Sequence, residues 1–303
     1  MELFRIYFLS LVLSISTIRS SCFLLTRHSS RHSQTAVGCS SISEDKGSIS
    51  SLIVKNDLLR IIPNCLLGAP ATNVTTEEDQ VKQILSLASA LELLSPFPPI
   101  ASSPQSLEAL GGDWQLIYSD ASEITKIAKL PLGFRLGPVF QVIDTSDGRF
   151  ENQALIKHRF KLLSGSTRVI ANFWLSPLGE VNRVGVVNIG ERANVKFRKI
   201  IFSLRRFLFF PTFGKISKTA IPNGAAEQAN VIPCIDVTYL DNTMRISRGG
   251  DGSMFILVRA NGKDGRKKAM PIFSLEKTKQ FSVDQAAPTY DPSVDILPSG
   301  IRG

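Results

Sequence analysis

Few residues in this chain have the types that do chemistry. His158 is the one histidine beyond position 32. Imidazole is the usual proton acceptor near neutral pH, but Lys157-His158-Arg159 sets it among like charges on a stretch that reads as a solvated strand. That gives no support to a Ser-His-Asp triad, a Cys-His pair or a His-based metal centre. Asp144 and Asp147 are close enough in sequence to share acid–base work, yet Asp-x-x-Asp-Gly between strands is turn chemistry. Gly249-Gly250-Asp251-Gly252 is Gly-rich, but no helix follows it and no Gly-Lys-Ser/Thr appears, so it reads as a hairpin and not a phosphate cradle. Cys65 and Cys234 have no Cys-x-x-Cys spacing and no neighbouring His, which makes them reduced thiols. The sequence predicts no enzyme, no metal and no cofactor.

Binding chemistry is better represented. Between Arg192 and Lys218 there are eight Lys or Arg and no Asp or Glu, interleaved with phenylalanines. At the centre stand Arg205, Arg206, Phe207, Leu208, Phe209, Phe210 and Lys215. Four bulky apolar residues in a row cannot be hidden on one face by period-2 burial, so this segment either packs into a core or is exposed for a partner. Exposed, it would insert Phe rings into a lipid surface while Arg205, Arg206 and Lys215 hold anionic head groups. Single-stranded nucleic acid also takes aromatic and basic groups together, but it needs separated stacking platforms along a groove, and none is present. The predicted partners therefore exclude nucleic acid.

The elements that must position these groups begin after an address. Residues 1–22 have a signal-peptide layout: one early Arg, an apolar run from Ile6 to Ile18, then small residues. The run is too short to span a membrane. Residues 23–50 are rich in Ser, Thr and Arg, and Phe23 to Ser43 hold no acid, the composition of a transit peptide. A signal peptide followed by a transit peptide resembles the bipartite address of plastids bounded by extra membranes, and plain secretion leaves the acid-free segment unexplained. In 51–104, Leu52, Ile53, Leu58, Leu59, Ile61 and Ile62 predict one helix. Thr75-x-x-Glu78 has capping-box spacing ahead of a second helix carrying Val81, Ile84, Leu85, Ala88, Leu91 and Leu94. Prolines from Pro96 to Pro104 end it.

From 105 to 262 short runs separated by turn residues predict an antiparallel β-barrel or sandwich. The expected strands are Trp114–Ser119, Leu136–Ile143, Phe150–Ile156, Lys157–Leu163, Val169–Leu175, Val181–Asn188, Ala193–Leu204, Ile235–Tyr239, Met244–Ser247 and Met254–Arg259. Residues 263–303 turn basic and then Pro-rich, and read as a weakly ordered tail. The positive charge is concentrated here: from Gly111 onward there are 27 basic and 17 acidic residues, against 3 and 6 in Ser51–Leu110. A basic face attracts an anionic surface.

Four blocks resemble the plastid lipid-associated protein family, also called fibrillins or plastoglobulins. They are Ala90-Leu91-Glu92-Leu93-Leu94-Ser95-Pro96, Leu110 to Ser119 with Gly-x-Trp at Gly112-Asp113-Trp114, Leu136 to Asp144, and the most specific, Val237 to Gly249. The resemblance covers most of Leu52 to Arg259, while Arg205 to Asn230 match nothing in the family pattern. It implies a mainly β, lipocalin-like antiparallel barrel preceded by two helices, located on plastoglobules or thylakoids. The implied partners are a hydrophobic small-molecule lipid of quinone, carotenoid or acyl type and a plastid lipid surface, bound peripherally. A second reading makes the chain an accessory subunit to a protein partner of isoprenoid or quinone metabolism, or a lipocalin-like enzyme there.

On this reading alternate residues of the central strands line an apolar cavity, with Trp114, Phe140, Phe173 and Tyr239 as contributors. Trp114 packs across the closed end of the barrel or is an ordinary core Trp. Arg245 and Arg248 lie three apart on a strand and so face opposite sides. One of them pairs with Asp241 or Asp236 near the barrel mouth while the other meets solvent, and ligand contact is the alternative role of Arg245.

Overall fold

Alternation of apolar and polar residues makes strands, and short Gly-, Asn- and Asp-containing turns join them as antiparallel neighbours. The computed structural model describes residues 43–65, 68–128, 133–158, 160, 163–208, 210–221, 232–260 and 269–270, so the expected signal peptide and most of the transit segment lie outside the described residues. Eight strands close into a ring: β2 (Gly112–Ser119), β3 (Phe134–Asp144), β4 (Arg149–His158), β5 (Leu163–Leu175), β6 (Arg192–Phe207), β8 (Cys234–Leu240), β9 (Met244–Gly249) and β10 (Met254–Arg259). Every neighbour in the ring is antiparallel, and β10 and β3 both pair with β2, which removes the open edges a sheet would otherwise expose. Two strands lie outside the ring. β1 (Ala71–Thr72) runs parallel to β2, and β7 (Phe210–Ala220) forms a hairpin with the far half of β6.

The apolar residues divide between two clusters. Trp114, Leu116, Ile143, Phe150, Val195, Val237 and Leu257 fill the barrel interior. The outer faces of β2, β8, β9 and β10 carry Tyr118, Tyr239, Met244, Ile246, Met254 and Ile256, which helices α1 (Ser43–Ile61) and α2 (Glu78–Glu92) cover with Leu58, Ile84, Ala88 and Leu91. Ile84, Ala88 and Leu91 recur at four and three residues, which sets them on one helical face. Ion pairs clamp the helices to the sheet: Lys55 to Asp241 at 2.5 Å and Arg248 to Glu92 at 2.8 Å. Burial alone would raise the pKa of Asp241, but hydrogen bonds from Lys55, Tyr239 and the Thr243 amide outweigh it and hold the carboxyl below its ordinary 3.8. A depressed folded-state pKa gives stability that is present above the unfolded value and lost as pH falls through the folded one. The Tm advantage of the unmodified protein over Asp241→Asn is therefore expected to be full at neutral pH and to shrink below about pH 4; a gap constant down to pH 2 would show that the carboxylate charge is not what holds α1.

Several sequence expectations are corrected. Phe150–Ile156 and Lys157–Leu163 are not two strands: β4 runs on to His158, and the next strand begins at Leu163. Val181–Asn188 is a loop with a single bridge between Val181 and Val187. Thr75 does not cap α2; its hydroxyl bonds Thr72 instead, at 3.0 Å to the Thr72 amide nitrogen, and Glu77 takes the N-cap position without a side-chain bond. Helix α1 begins at Ser43, inside the segment read as address. Short helices α3 (Pro104–Leu110), opened by Pro at its first turn, and α4 (Ser122–Ala128) were not foreseen. At the start of the expected tail, both backbone groups of Met270 bond the side chain of Gln153, at 2.8 Å each, and Ala269 is buried. The rest of that tail lies outside the described residues.

Candidate functional site

Helix α3 delivers its C-terminal carbonyls to one end of the barrel, and the Gly-x-Trp opening of β2 is built against them. The Trp114 indole is fully buried and donates to the Leu110 carbonyl at 2.8 Å. Two guanidiniums lie over its ring, Arg259 at 4.0 Å and Arg245 at 5.0 Å from the centroid, both within cation–π range. Arg259 also donates to the carbonyls of Ala109, Gly111 and Asn242. Position 112 must be glycine here: its φ is +108°, and a Cβ would meet Arg259 Nη1 at 2.5 Å.

Arg245 projects into the interior, as its spacing from Arg248 requires. It does not make the ion pair expected of it. Asp236 is taken by Arg192 and Asp241 by Lys55, while Arg248 reaches Glu92 on α2 and not solvent. The Arg245 side chain is 1% exposed; Nη2 donates to Gln141 Oε1 and Nε has no partner. Burial first, and the charge of Arg259 second, push its pKa down to about 9. Beside it lies a void of ≈ 20 Å³, lined by Arg245, Gln141, Phe173 and apolar residues. That is room for about one water molecule; among the described residues this void is too small to be the apolar ligand cavity expected from sequence. An eight-stranded barrel is just wide enough for side chains to fill.

Of the four residues expected to line a cavity, Trp114 and Phe173 do face inward. Phe140 and Tyr239 face out, and one physical cause accounts for both. A register shift between Leu136 and Val139 turns Val139, Gln141 and Ile143 inward and Phe140 outward, and another between Val237 and Tyr239 turns Tyr239 toward the helices. Tyr239 donates to Asp241 at 2.7 Å. Phe140 is buried opposite Gln153, on the face where Met270 docks.

The basic aromatic segment is the β6–β7 hairpin. Phe207 pairs with Phe210 across its tip, and Leu208 turns the chain at φ 53°. Phe207 is 52% exposed, Leu208 43% and Phe210 72%, with exposed Arg205 and Arg206 just behind them. Phe209 lies outside the described residues. Lys215 lies in β7, and nothing is described of its side chain.

At the opposite end of the β5–β6 ladder the loop 176–191 presents Leu178, Val181, Val184, Val186, Val187 and Ile189, each at least half exposed. Buried groups hold the loop from behind. The Asn188 side chain bonds Ser176 O, Pro177 O and the amides of Gly190 and Arg192, and Arg192 reaches Glu180 O, Val186 O and Asp236. Sequence reasoning missed this surface by reading 181–188 as a strand. The signal lay in Gly179, Gly185 and Gly190, all at positive φ.

The remaining candidates are structural. The Asp144 carboxylate accepts from the Ser146 hydroxyl and amide, closing a turn, and the Ser146 hydroxyl leads the bonds that lower its pKa. His158 stacks edge-on to Phe134 at 5.2 Å. Among the described residues no group of three His, Cys, Asp or Glu is placed to hold a metal, and no helix is long and apolar enough to cross a membrane.

A closed eight-stranded antiparallel meander whose Gly-x-Trp opening is stacked under an Arg from the last strand is a lipocalin-like barrel. The chain belongs to the PAP_fibrillin family, whose pattern matches residues 55–258. It is similar to "Probable plastid-lipid-associated protein 3, chloroplastic" of Oryza sativa subsp. japonica, 28% identical over 203 residues, covering 58% of this chain and 52% of the relative. It is also similar to "Plastoglobulin-1, chloroplastic" of Pisum sativum, 24% identical over 197 residues, covering 58% and 54%. The chain spans about half the length of the curated relatives it matches. No solved structure matches it.

Proposed function

We propose that this chain is a plastid lipid-associated protein that attaches peripherally to a lipid surface through the β6–β7 hairpin and takes a hydrophobic lipid at the barrel interior. One observation carries the surface reading. A two-residue hairpin turn at positive φ favours Asn or Gly, yet Leu208 occupies it between exposed phenylalanines, so the tip is not chosen for turn geometry or for water. Arg205 and Arg206 stand where a monolayer's head groups would meet the strands. The chloroplastic relatives support a plastid location, and a membrane-associated role suits a ring with no spanning helix among its described residues. The barrel acts by binding, without chemistry of its own.

Flotation with vesicles containing an anionic plastid-type lipid tests this. Each basic residue near such a surface contributes about 1 kcal/mol, so Arg205→Glu with Arg206→Glu is expected to weaken binding by at least about 30-fold, and raised salt should mimic it. Binding insensitive to both the charge reversal and salt would remove the surface reading. The loop 176–191 favours a second reading, as accessory subunit to a protein of isoprenoid metabolism, because it is a hydrogen-bonded apolar surface at the other end of the β5–β6 ladder from the hairpin. Val184→Ser with Val186→Ser and Ile189→Ser should then leave vesicle binding intact; loss of vesicle binding would make the loop the lipid-facing end instead.

A further inference from the structure

Arg245 is a full cation, and among the described residues no carboxylate is placed against its charge. The two carboxylates expected as its partners are committed, Asp236 to Arg192 at 2.6 Å and Asp241 to Lys55 at 2.5 Å, and Glu92 holds Arg248 at 2.8 Å. What Arg245 has is Gln141 Oε1 at one nitrogen and the Trp114 ring at 5.0 Å. A neutral carboxamide and an aromatic face offset only part of the cost of taking an ion out of water, and Arg259 over the same ring adds repulsion. A guanidinium does not escape by losing its proton at neutral pH. Its Nε is buried without an acceptor, a deficit that buried donors rarely carry.

The space next to it has a defined character. The ≈ 20 Å³ void is bounded by apolar side chains of β3, β4, β5, β6 and β8, with Gln141 and Arg245 the polar exceptions. Of its lining residues, Phe173 and Ile235 are half-buried and the others buried, so those two stand between the void and solvent.

We propose that Arg245 is the head-group anchor for an anionic amphiphile, a long-chain carboxylate whose charged end occupies the void and whose chain leaves past Phe173 and Ile235. This deepens, and rests on, the reading that the barrel interior takes a lipid. A quinone or a carotenoid would leave the guanidinium uncompensated, whereas a carboxylate supplies both the missing charge and an acceptor for Nε in the planar geometry that arginine matches best. Phe173 and Ile235 swing aside to admit the chain, and the head-group end is already formed.

Calorimetric titration of the full chain with sodium oleate below its micellar range, methyl oleate and sodium acetate tests the assignment. Oleate is expected to bind at least tenfold more tightly than its methyl ester, and acetate should not saturate in the range where oleate does. Arg245→Met should lose at least tenfold in oleate affinity and leave the ester unchanged, with Arg245→Lys between. Equal affinity for oleate and its ester, or an Arg245→Met protein that keeps oleate affinity, overturns the proposal. Acetate binding as tightly as oleate overturns it too, reducing the site to one for a small anion. Should Arg245→Met lose its cooperative thermal transition, the oleate-to-ester ratio of the unmodified protein and the Arg245→Lys variant decide. If neither oleate nor ester binds while vesicle flotation persists, the interior assignment fails and surface attachment stands.

Discussion

Replacing Asp236 by alanine is expected to lower the free energy of unfolding by about 3–5 kcal/mol, the cost of stranding one member of a buried ion pair. Arg192 and Asp236 form a two-pronged bond, Nε to Oδ1 at 2.6 Å and Nη2 to Oδ2 at 2.9 Å, with side chains only 1% and 7% exposed. The hydrogen bonds that Arg192 donates to Asp236 lead the influences that raise its pKa above the ordinary guanidinium value. Removal of the carboxylate leaves a desolvated guanidinium with two carbonyls, Glu180 O and Val186 O, as its remaining acceptors. Those carbonyls belong to the loop 176–191, so the effect has a local signature as well. Asn188 donates its amide to Glu180 O at 2.8 Å and Asn182 to Val186 O at 3.0 Å, and hydrogen exchange at both should speed up in Asp236→Ala under conditions where the barrel stays folded. Denaturant unfolding reads the first effect. A loss below about 1 kcal/mol, or unchanged exchange in the loop, would mean that other contacts fix both the β6–β8 seam and the loop.

What the sequence made legible, and what it did not, divides along one line. Period and spacing gave the two amphipathic helices, most of the ring strands and the opposition of Arg245 to Arg248, because each depends on local alternation. Inward and outward assignments failed where a bulge resets the alternation. Phe140 shares parity with Leu136 and would face inward in an unbroken strand, yet the shift after Leu136 reverses it. The break had a visible trace in Gly137-Pro138, since both residues are uncommon inside a strand except at irregularities. The shift between Val237 and Tyr239 had no such trace: Val237-Thr238-Tyr239 is ordinary strand sequence. Ion-pair partners were missed for a different reason. Glu92 meets Arg248 across 156 positions of sequence, and Lys55 meets Asp241 across 186. Only the packing of α1 and α2 on the outside of β8 and β9 brings them together. The loop 176–191 misled because Val181, Val186 and Val187 have strand propensity while the side chains of Asn182 and Asn188, through bonds to nearby backbone, fold the segment back on itself.

Phe207→Ser with Phe210→Ser is expected to weaken binding to anionic vesicles by about 2–4 kcal/mol in total, on the order of 30- to 1,000-fold in Kd. Full burial of such a side chain is worth about 1.5–3 kcal/mol, and these rings, 52% and 72% exposed, have roughly half to three quarters of that still to gain on entering lipid. The fold should survive, because Phe207 and Phe210 pair at the tip of a hairpin whose second strand is outside the closed ring. Leu208→Asn separates the two contributions. Leu208 sits at φ 53°, where Asn is tolerated far better than a branched apolar side chain, so this change should keep or raise Tm while still weakening vesicle binding. If Leu208 were kept for stability, the change would lower Tm and leave lipid affinity unmoved. If the double Phe variant instead loses its cooperative thermal transition, the rings belong to the core. The hairpin could then no longer be the lipid-facing element, and attachment would have to be sought at the loop 176–191, on the other end of the β5–β6 ladder.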